Sequence, residues 1–367
     1  MLPYEPENLP IENLDFRRLI TLVGKANAEL ARYDGLLQGI VNPSIMLSPL
    51  TVQEAVLSSR LEGTQATVDD VFEHEAGIEK TEHEAQDIQE IANYRYALRC
   101  AQDHLRTYPI TLSFVREIHK LLLNSVRGQD KRPGYFREDQ NWIGVRGCTI
   151  EEAIFVPPNP LRLQDHLDAW KEYISSEDID TLVQAAIMHA QFELLHPFKD
   201  GNGRIGRLLI PLFLFQKKRL SHPMFYLSAY LEKNRDEYYG CLGAISKEGD
   251  WNGWVEFFLT AIMGQAQDNI TKVNQIRKLY DDMKQQVQEI THSQHTLQVL
   301  DQIFNRPTFQ TSAFIKETGI QKATAMTILR QLKEAGILKE VRPSSGRRPA
   351  VLGFPKLLNV AEGKEVI

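Results

Sequence analysis

The sequence predicts a mainly helical protein with one short β-hairpin near its middle and a mixed helix-and-strand module at its C-terminus. Three observations carry this. Apolar residues recur at steps of three and four through most of the chain, as on one face of a helix. A strand-like pattern is confined to positions 142 to 158, and after about Ser293 the pattern resets into helix, helix, hairpin.

A chain of 367 residues exceeds the size at which a single core stops growing, so two or three domains are expected. The hydrophobic fraction of 43% and charged fraction of 25% are those of an ordinary globular protein. A net charge of −6 gives no general case for nucleic-acid or membrane binding. Cys100, Cys148 and Cys241 are far apart and read as free thiols of a reducing compartment. The start Met1-Leu2-Pro3-Tyr4 lacks a basic and then apolar leader, and no stretch reaches bilayer length, so a cytoplasmic protein is expected.

Taken in order, Thr51-x-x-Glu54 reads as a capping box opening a helix that carries Ser58-Ser59-Arg60-Leu61-Glu62-Gly63 at its end. Ser58 and Glu62, four apart, share a face of that helix. Val115, Ile118, Leu121 and Leu122 mark a helix over Ser113–Leu123, and Leu163, Leu167, Trp170 and Ile174 mark another over Leu163–Ile174. Between these, Trp142 to Gly147 and Ala153 to Pro158 read as two strands around a turn. Val183, Ala186, Ile187, Ala190 and Leu194 stripe a helix over Asp180–Leu195. The same spacing returns at Ile205, Leu208, Leu209, Leu212 and Phe213, where Pro211 should bend the helix unless the freed carbonyl finds another partner. Downstream, Val273, Ile276, Tyr280, Met283, Val287 and Ile290 form a short heptad seam. Packing within the protein is its first reading and homodimerisation its second.

Two of these helices are joined by His196-Pro197-Phe198-Lys199-Asp200-Gly201-Asn202-Gly203-Arg204-Ile205-Gly206-Arg207. Asp200 offers the carboxylate oxygen that Mg²⁺ prefers. Gly201, Gly203 and Gly206 let the backbone turn sharply and present N–H groups to phosphate oxygens at a helix start. Arg204 and Arg207 share a helix face and can grip phosphates bidentately. His196 alone in the run exchanges a proton near neutrality. The pattern is that of a polyphosphate site with a base attached. It is not a P-loop, because no strand precedes it and no Gly-Lys-Ser/Thr ends it.

The run resembles the signature of the Fic family, His-Pro-Phe-x-Asp/Glu-Gly-Asn-Gly/Lys-Arg-x-x-Arg, at every fixed position. The resemblance implies Mg²⁺-dependent transfer of AMP from ATP to a Ser, Thr or Tyr hydroxyl of a target protein, with the chain itself as a second candidate target. In that scheme His196 deprotonates the acceptor, Asp200 holds Mg²⁺ and Asn202 orients the α-phosphate. Arg204 and Arg207 grip the β- and γ-phosphates, Phe198 anchors the loop, and Gly201, Gly203, Ile205 and Gly206 complete the ATP-binding run. Ala153, Ile154 and Phe155 would line a flap that docks the target by strand addition. Tyr238-Tyr239 and Trp251-x-x-Trp254 resemble a wall beside the nucleotide, with Tyr239 as the ATP contact, although such a cluster equally suits a core.

Ser58-x-x-x-Glu62-Gly63 resembles the built-in inhibitory helix of one Fic class, in which the glutamate pairs with the second signature arginine. Here that pair is Glu62 with Arg207, and it would deny the γ-phosphate its clamp. The alternatives on the same scaffold are AMP removal, phosphate transfer, or a nucleotide-sensing regulator.

At the C-terminus, helices over Thr311–Thr318 and Gln321–Ala335 end at Gly319 and Gly336, and strands follow at Ile337–Val341 and Ala350–Phe354. This order resembles a winged helix. From His295 to Ala350 nine Lys/Arg stand against four Asp/Glu, leaving +5 there and −11 on the rest. Lys322, Arg330, Arg347 and Arg348 are the candidate DNA contacts, with protein docking as the other reading. The expected division is residues 1–95 as an N-terminal helical segment with the inhibitory motif, 96–264 as the catalytic core with its flap, 265–292 as a linker helix, and 293–367 as the winged helix.

Overall fold

The computed structural model describes residues 2–126, 128–145, 147–346 and 348–365. The described residues are mainly helical, with one three-stranded sheet. They form two compact units, each assembled from separate stretches of sequence: 1–35, 57–63 and 92–267 in the first, 36–56, 64–91 and 268–367 in the second.

The first unit is built around two consecutive helices, Thr181–Leu195 and Asn202–Gln216. The Asp180 side chain caps the former, accepting from the amides of Leu182 and Val183. All its residues except Thr181 and Glu193 are buried, as befits a helix apolar nearly all round. Every residue of the latter from Asn202 to Leu214 is buried, and the helix continues through Pro211. Indole N–H groups fix this core: Trp170 donates to the carbonyl of Met188 (2.9 Å) and Trp254 to that of Ala186 (2.8 Å). Trp251 and Trp254 are thus core residues, 2% and 0% exposed, and of the expected aromatic wall only Tyr239, 43% exposed, reaches solvent. Burying an indole with its N–H satisfied outweighs leaving it at a polar surface.

Two local expectations are corrected. The helix expected to open at Thr51 begins at Ser48, and Thr51 lies inside it with its hydroxyl turned toward the Leu47 carbonyl (3.4 Å). Pro49, whose fixed φ suits the first turn of a helix, explains the earlier start. The expected flap hairpin is reduced to one antiparallel bridge between Ile143 and Phe155 among the described residues. Ile143 N–H donates to Phe155 (2.8 Å) and Phe155 N–H returns the bond (3.1 Å). Pairing goes no further because Thr149 and Glu152 form a capping box around a short 3-10 turn, which draws the chain out of extended geometry. Arg146 lies outside the described residues.

In the second unit the helices Thr296–Asn305, Thr311–Thr318 and Lys322–Glu334 accompany strands β1 (Thr308–Gln310), β2 (Lys339–Arg342) and β3 (Val351–Gly353). The sheet is antiparallel in the order β1-β3-β2, with Phe309 opposite Leu352 and Lys339 opposite Gly353. The Thr296–Asn305 helix and β1 had no counterpart in the sequence reading. The heptad seam continues the long helix Trp251–Thr291. Its residues Val273, Ile276, Met283 and Val287 are buried within the chain. Tyr280 meets Phe304 edge-on at 4.9 Å and donates to Asp301 (2.6 Å). No helix among the described residues is long and apolar enough to cross a membrane.

Candidate functional site

The signature run forms the turn between the two central helices of the first unit. His196 ends the first in the left-handed region at φ 44, and Gly201, at φ 78, opens the second. Phe198 is fully buried and stacks parallel on His119, with ring centroids 3.7 Å apart. Asn202 ties its amide to the Phe198 backbone at both ends, accepting from N–H and donating to C=O, each at 2.8 Å. This side chain, 2% exposed, is therefore committed to the loop itself.

His196 is half-buried. Its Nδ1 lies 3.3 Å from the Glu193 carbonyl, which can only accept, so the proton sits on Nδ1 and the Nε2 lone pair is left to act as a base. Burial lowers its pKa to about 4, partly offset by the Glu193 carbonyl and the Glu62 carboxylate. The imidazole is accordingly neutral near pH 7.

Asp200 is one-third exposed, and Arg204, fully buried, reaches it from one helical turn away (3.3 Å). Arg207 is met by the end of the Ser48–Leu61 helix: its Nε donates to the Ser58 hydroxyl (3.0 Å), and its Nη2 to the Ser58 carbonyl (2.8 Å) and to the Glu62 carboxylate (2.7 Å). Burial by itself would raise the Glu62 carboxyl. The Arg207 charge and hydrogen bond, with Arg204 and His196 behind them, overcome that and hold it below the ordinary carboxylate range. Glu193, facing the same region, is pushed up to about 7 by burial and by Glu62, against the pull of Arg207.

Two glycines of the run stand against the carboxylates of neighbouring acids, which a side chain there would have to displace. A Cβ on Gly203 would lie 2.2 Å from Glu62 Oε1, and one on Gly206 would lie 2.1 Å from Glu193 Oε1. Ile205 is fully buried beneath them.

The sequence reading missed three participants. His119 accepts the Gly134 N–H at Nδ1 (2.8 Å) and donates from Nε2 to the Asp200 carbonyl (2.9 Å), so it clamps the loop backbone from below. Its signal was available, since it shares the buried face of Val115, Ile118 and Leu122. Arg137 donates into the same turn, and Arg235 donates to the Leu61 carbonyl (3.1 Å) at the end of the helix that delivers Glu62. Arg235 also lies over the Tyr239 ring at 5.8 Å. No sequence pattern singled out either arginine. Of the flap residues Ala153 is buried, Phe155 half-buried and Ile154 62% exposed.

The model of the Fic/DOC family N-terminal region matches residues 20–103, and that of the Fic/DOC family matches residues 109–214. Together they span more than half of the chain. The chain belongs to the Fic/DOC family. A probable protein adenylyltransferase of Aquifex aeolicus is 26% identical over 204 residues, covering 55% of this chain and 59% of that protein. The protein adenylyltransferase Fic of Drosophila erecta is 29% identical over 262 residues, covering 67% of this chain and 46% of its own length. The chain thus spans about half the length of these curated relatives. A Fic family protein from Desulfovibrio desulfuricans shares the fold with a TM-score of 0.60 at 18% identity, covering 96% of this chain and 98% of its own. Fic-1 from C. elegans does so with a TM-score of 0.52, also at 18% identity, over 70% and 72% of the two chains. The signature loop and its preceding helix lie within the matched Fic region, and Ser58 and Glu62 within the matched N-terminal region.

Of the candidate DNA contacts in the second unit, Lys322 is exposed at the first position of its helix. Arg330 pairs with Glu334 (2.9 Å) and Arg348 with Glu79 (3.1 Å). Arg347 lies outside the described residues.

Proposed function

We propose that this chain transfers AMP from ATP to a hydroxyl of a target protein, and that Glu62 restrains it. The observation that carries the reading is the tautomer of His196: with Nδ1–H committed to the Glu193 carbonyl, a neutral Nε2 is left as proton acceptor on the loop that carries the Asp200 carboxylate and leads into the helix of the two signature arginines. The acceptor oxygen would attack the α-phosphorus as its proton passes to Nε2. The bond to the β-phosphate oxygen would break, and pyrophosphate would leave. Arg204 and Arg207 would hold the β- and γ-phosphates in line for that departure.

Among the described residues no cluster of three metal-ligating side chains exists, and Asp200 offers one partly open carboxylate. That donor set fits Mg²⁺, which takes one or two carboxylates and completes its shell with water and substrate phosphates. When bound, the ion would neutralise charge on the phosphate oxygens. The Glu62 bond to Arg207 supports autoinhibition, because an arginine already neutralised cannot clamp a γ-phosphate. The electrostatic closeness of Glu62 to His196 favours a second reading, in which the same carboxylate orients water for removal of AMP from a modified protein.

For the second unit, three helices followed by β2 and β3, with β1 completing the sheet, support a winged-helix module. DNA would meet it at Lys322, with Arg330 and Arg348 exchanging their carboxylate partners for phosphates.

The deciding experiment is incubation with ATP labelled in turn at the α- and γ-phosphates. Protein-bound α-label without γ-label supports AMP transfer. Bound γ-label replaces it with phosphate transfer, and no bound label, with release of AMP from a modified protein, replaces it with AMP removal.

A further inference from the structure

Arg137 is a buried arginine, 3% exposed, with no carboxylate within ion-pair distance among the described residues. An unpaired guanidinium is costly to bury unless its donors are satisfied. Here four of its five N–H groups point at carbonyls: Nε donates to His196 (3.0 Å), Nη2 to Pro158 (2.6 Å) and more distantly to Leu195 (3.4 Å), and Nη1 to Asp139 (3.4 Å). Its own backbone N–H donates to Pro197 (2.8 Å). Leu195 is the last residue of a helix, where carbonyls lack intrahelical partners and carry the negative end of the dipole. Arg137 therefore collects carbonyl groups that the sharp turn leaves exposed.

The placement of His196 makes this more than a strut. A non-glycine residue at φ 44 sits in a sparsely populated region and persists only when its surroundings hold it. The carbonyl of that strained residue is bound by Arg137, and the same guanidinium binds Pro158, just past the flap residues Ala153 to Phe155. One side chain thus joins the end of the flap to the backbone of the base.

We propose that Arg137 is a positioning residue for His196, fixing the base in its left-handed turn and locking that turn to the flap. This deepens the AMP-transfer reading and rests on it for the role of His196. The fixed positive charge also opposes protonation of the imidazole, in concert with burial and against Glu62 from the inhibitory helix, Asp200 from the loop and the Glu193 carbonyl.

The test uses the full chain with Arg137→Lys and Arg137→Gln and three measurements. The rate at which diethyl pyrocarbonate acylates His196 is followed against pH by peptide mass. AMP incorporation gives kcat and the KM for ATP, and thermal unfolding reports stability. In Arg137→Gln the acylation midpoint should move up in pH, and kcat should fall about 10²-fold, the cost of misplacing a reacting group by about 1 Å, with KM for ATP within about two-fold. Arg137→Lys keeps the charge but fewer bonds, so its acylation midpoint should stay and its kcat should lie between the two. An unchanged midpoint in Arg137→Gln, or kcat falling only in step with melting, would make Arg137 a structural strut and overturn the proposal. Should Arg137→Gln not fold, wild-type kcat in Arg137→Lys would overturn it as well. Failure of AMP transfer by the wild-type chain would sink the proposed function alone, since the acylation midpoint is read without turnover.

Discussion

The Glu62 carboxylate lies 2.7 Å from Nη2 of Arg207, although 145 positions separate them in sequence. Ser58, one turn earlier on the same helix, supplies a hydroxyl and a carbonyl to the same guanidinium. If the second signature arginine must clamp a phosphate, Glu62→Gly should raise AMP incorporation by about 5- to 150-fold, the range of an ordinary coupling energy of about 1–3 kcal/mol. Ser58→Ala should act in the same direction but more weakly, because a neutral hydroxyl holds the arginine less firmly than a carboxylate. Incorporation of α-label by the two variants checks both, and unchanged or lower incorporation in Glu62→Gly would favour AMP removal.

His196→Ala should keep ATP binding and lose transfer by a factor of about 10² to 10⁴, the usual cost of a missing general base. Because the ring is half-buried and its neighbours Pro197 and Phe198 hold the turn, melting should change little. Calorimetric ATP affinity beside α-label incorporation separates the two effects, and wild-type turnover would remove His196 from the chemistry.

Glu193 gives a pH signature. Its carboxyl is raised to about 7 by burial, and Oε1 has no hydrogen-bond partner among the described residues. Between the unfolded value of about 4.3 and the folded value the native state binds the extra proton, so stability falls as pH rises through that window and the loss is complete above it. Glu193→Gln removes the titration. Its melting temperature should match wild type near pH 4 and exceed it progressively toward pH 8, reflecting a stability difference on the order of 1–4 kcal/mol. Parallel pH curves for the two proteins would contradict the raised carboxyl.

For the C-terminal module, duplex DNA binding should weaken steeply with salt, and Lys322→Ala should shallow the slope of log affinity against log salt by about 0.9. Fluorescence anisotropy across a salt series measures this. Binding absent at low salt would leave protein docking as the module's role.

The helices around the signature were legible because their periodicity is strong and local, and the loop because its chemistry is packed into one short run. The Glu62 contact was legible only through resemblance, since spacing says nothing about a partner so far along the chain. Arg137 escaped for the same reason, because it acts on carbonyls that become neighbours only after folding, while the spacing of His119 marked it as buried without naming the loop carbonyl it holds. The flap failed as a hairpin because Thr149 and Glu152 compete locally with strand pairing, a side-chain effect that apolar alternation does not register. Trp251 and Trp254 were ambiguous because an aromatic pair at helical spacing suits a core and a ligand wall equally, and here the backbone carbonyl of Ala186, which takes the Trp254 indole N–H, decided for the core.

The two crowded glycines carry a consequence for how this loop can drift. A Cβ at Gly203 would meet Glu62 Oε1 at 2.2 Å and Arg207 Nη1 at 2.8 Å, and one at Gly206 would meet Glu193 Oε1 at 2.1 Å. Each of these atoms is the far end of a flexible side chain, so a residue gained at either glycine would turn its neighbour aside rather than be barred. At position 203 that shift would fall on both members of the Glu62–Arg207 pair at once, so variation at the glycine is coupled to the ion pair beside it.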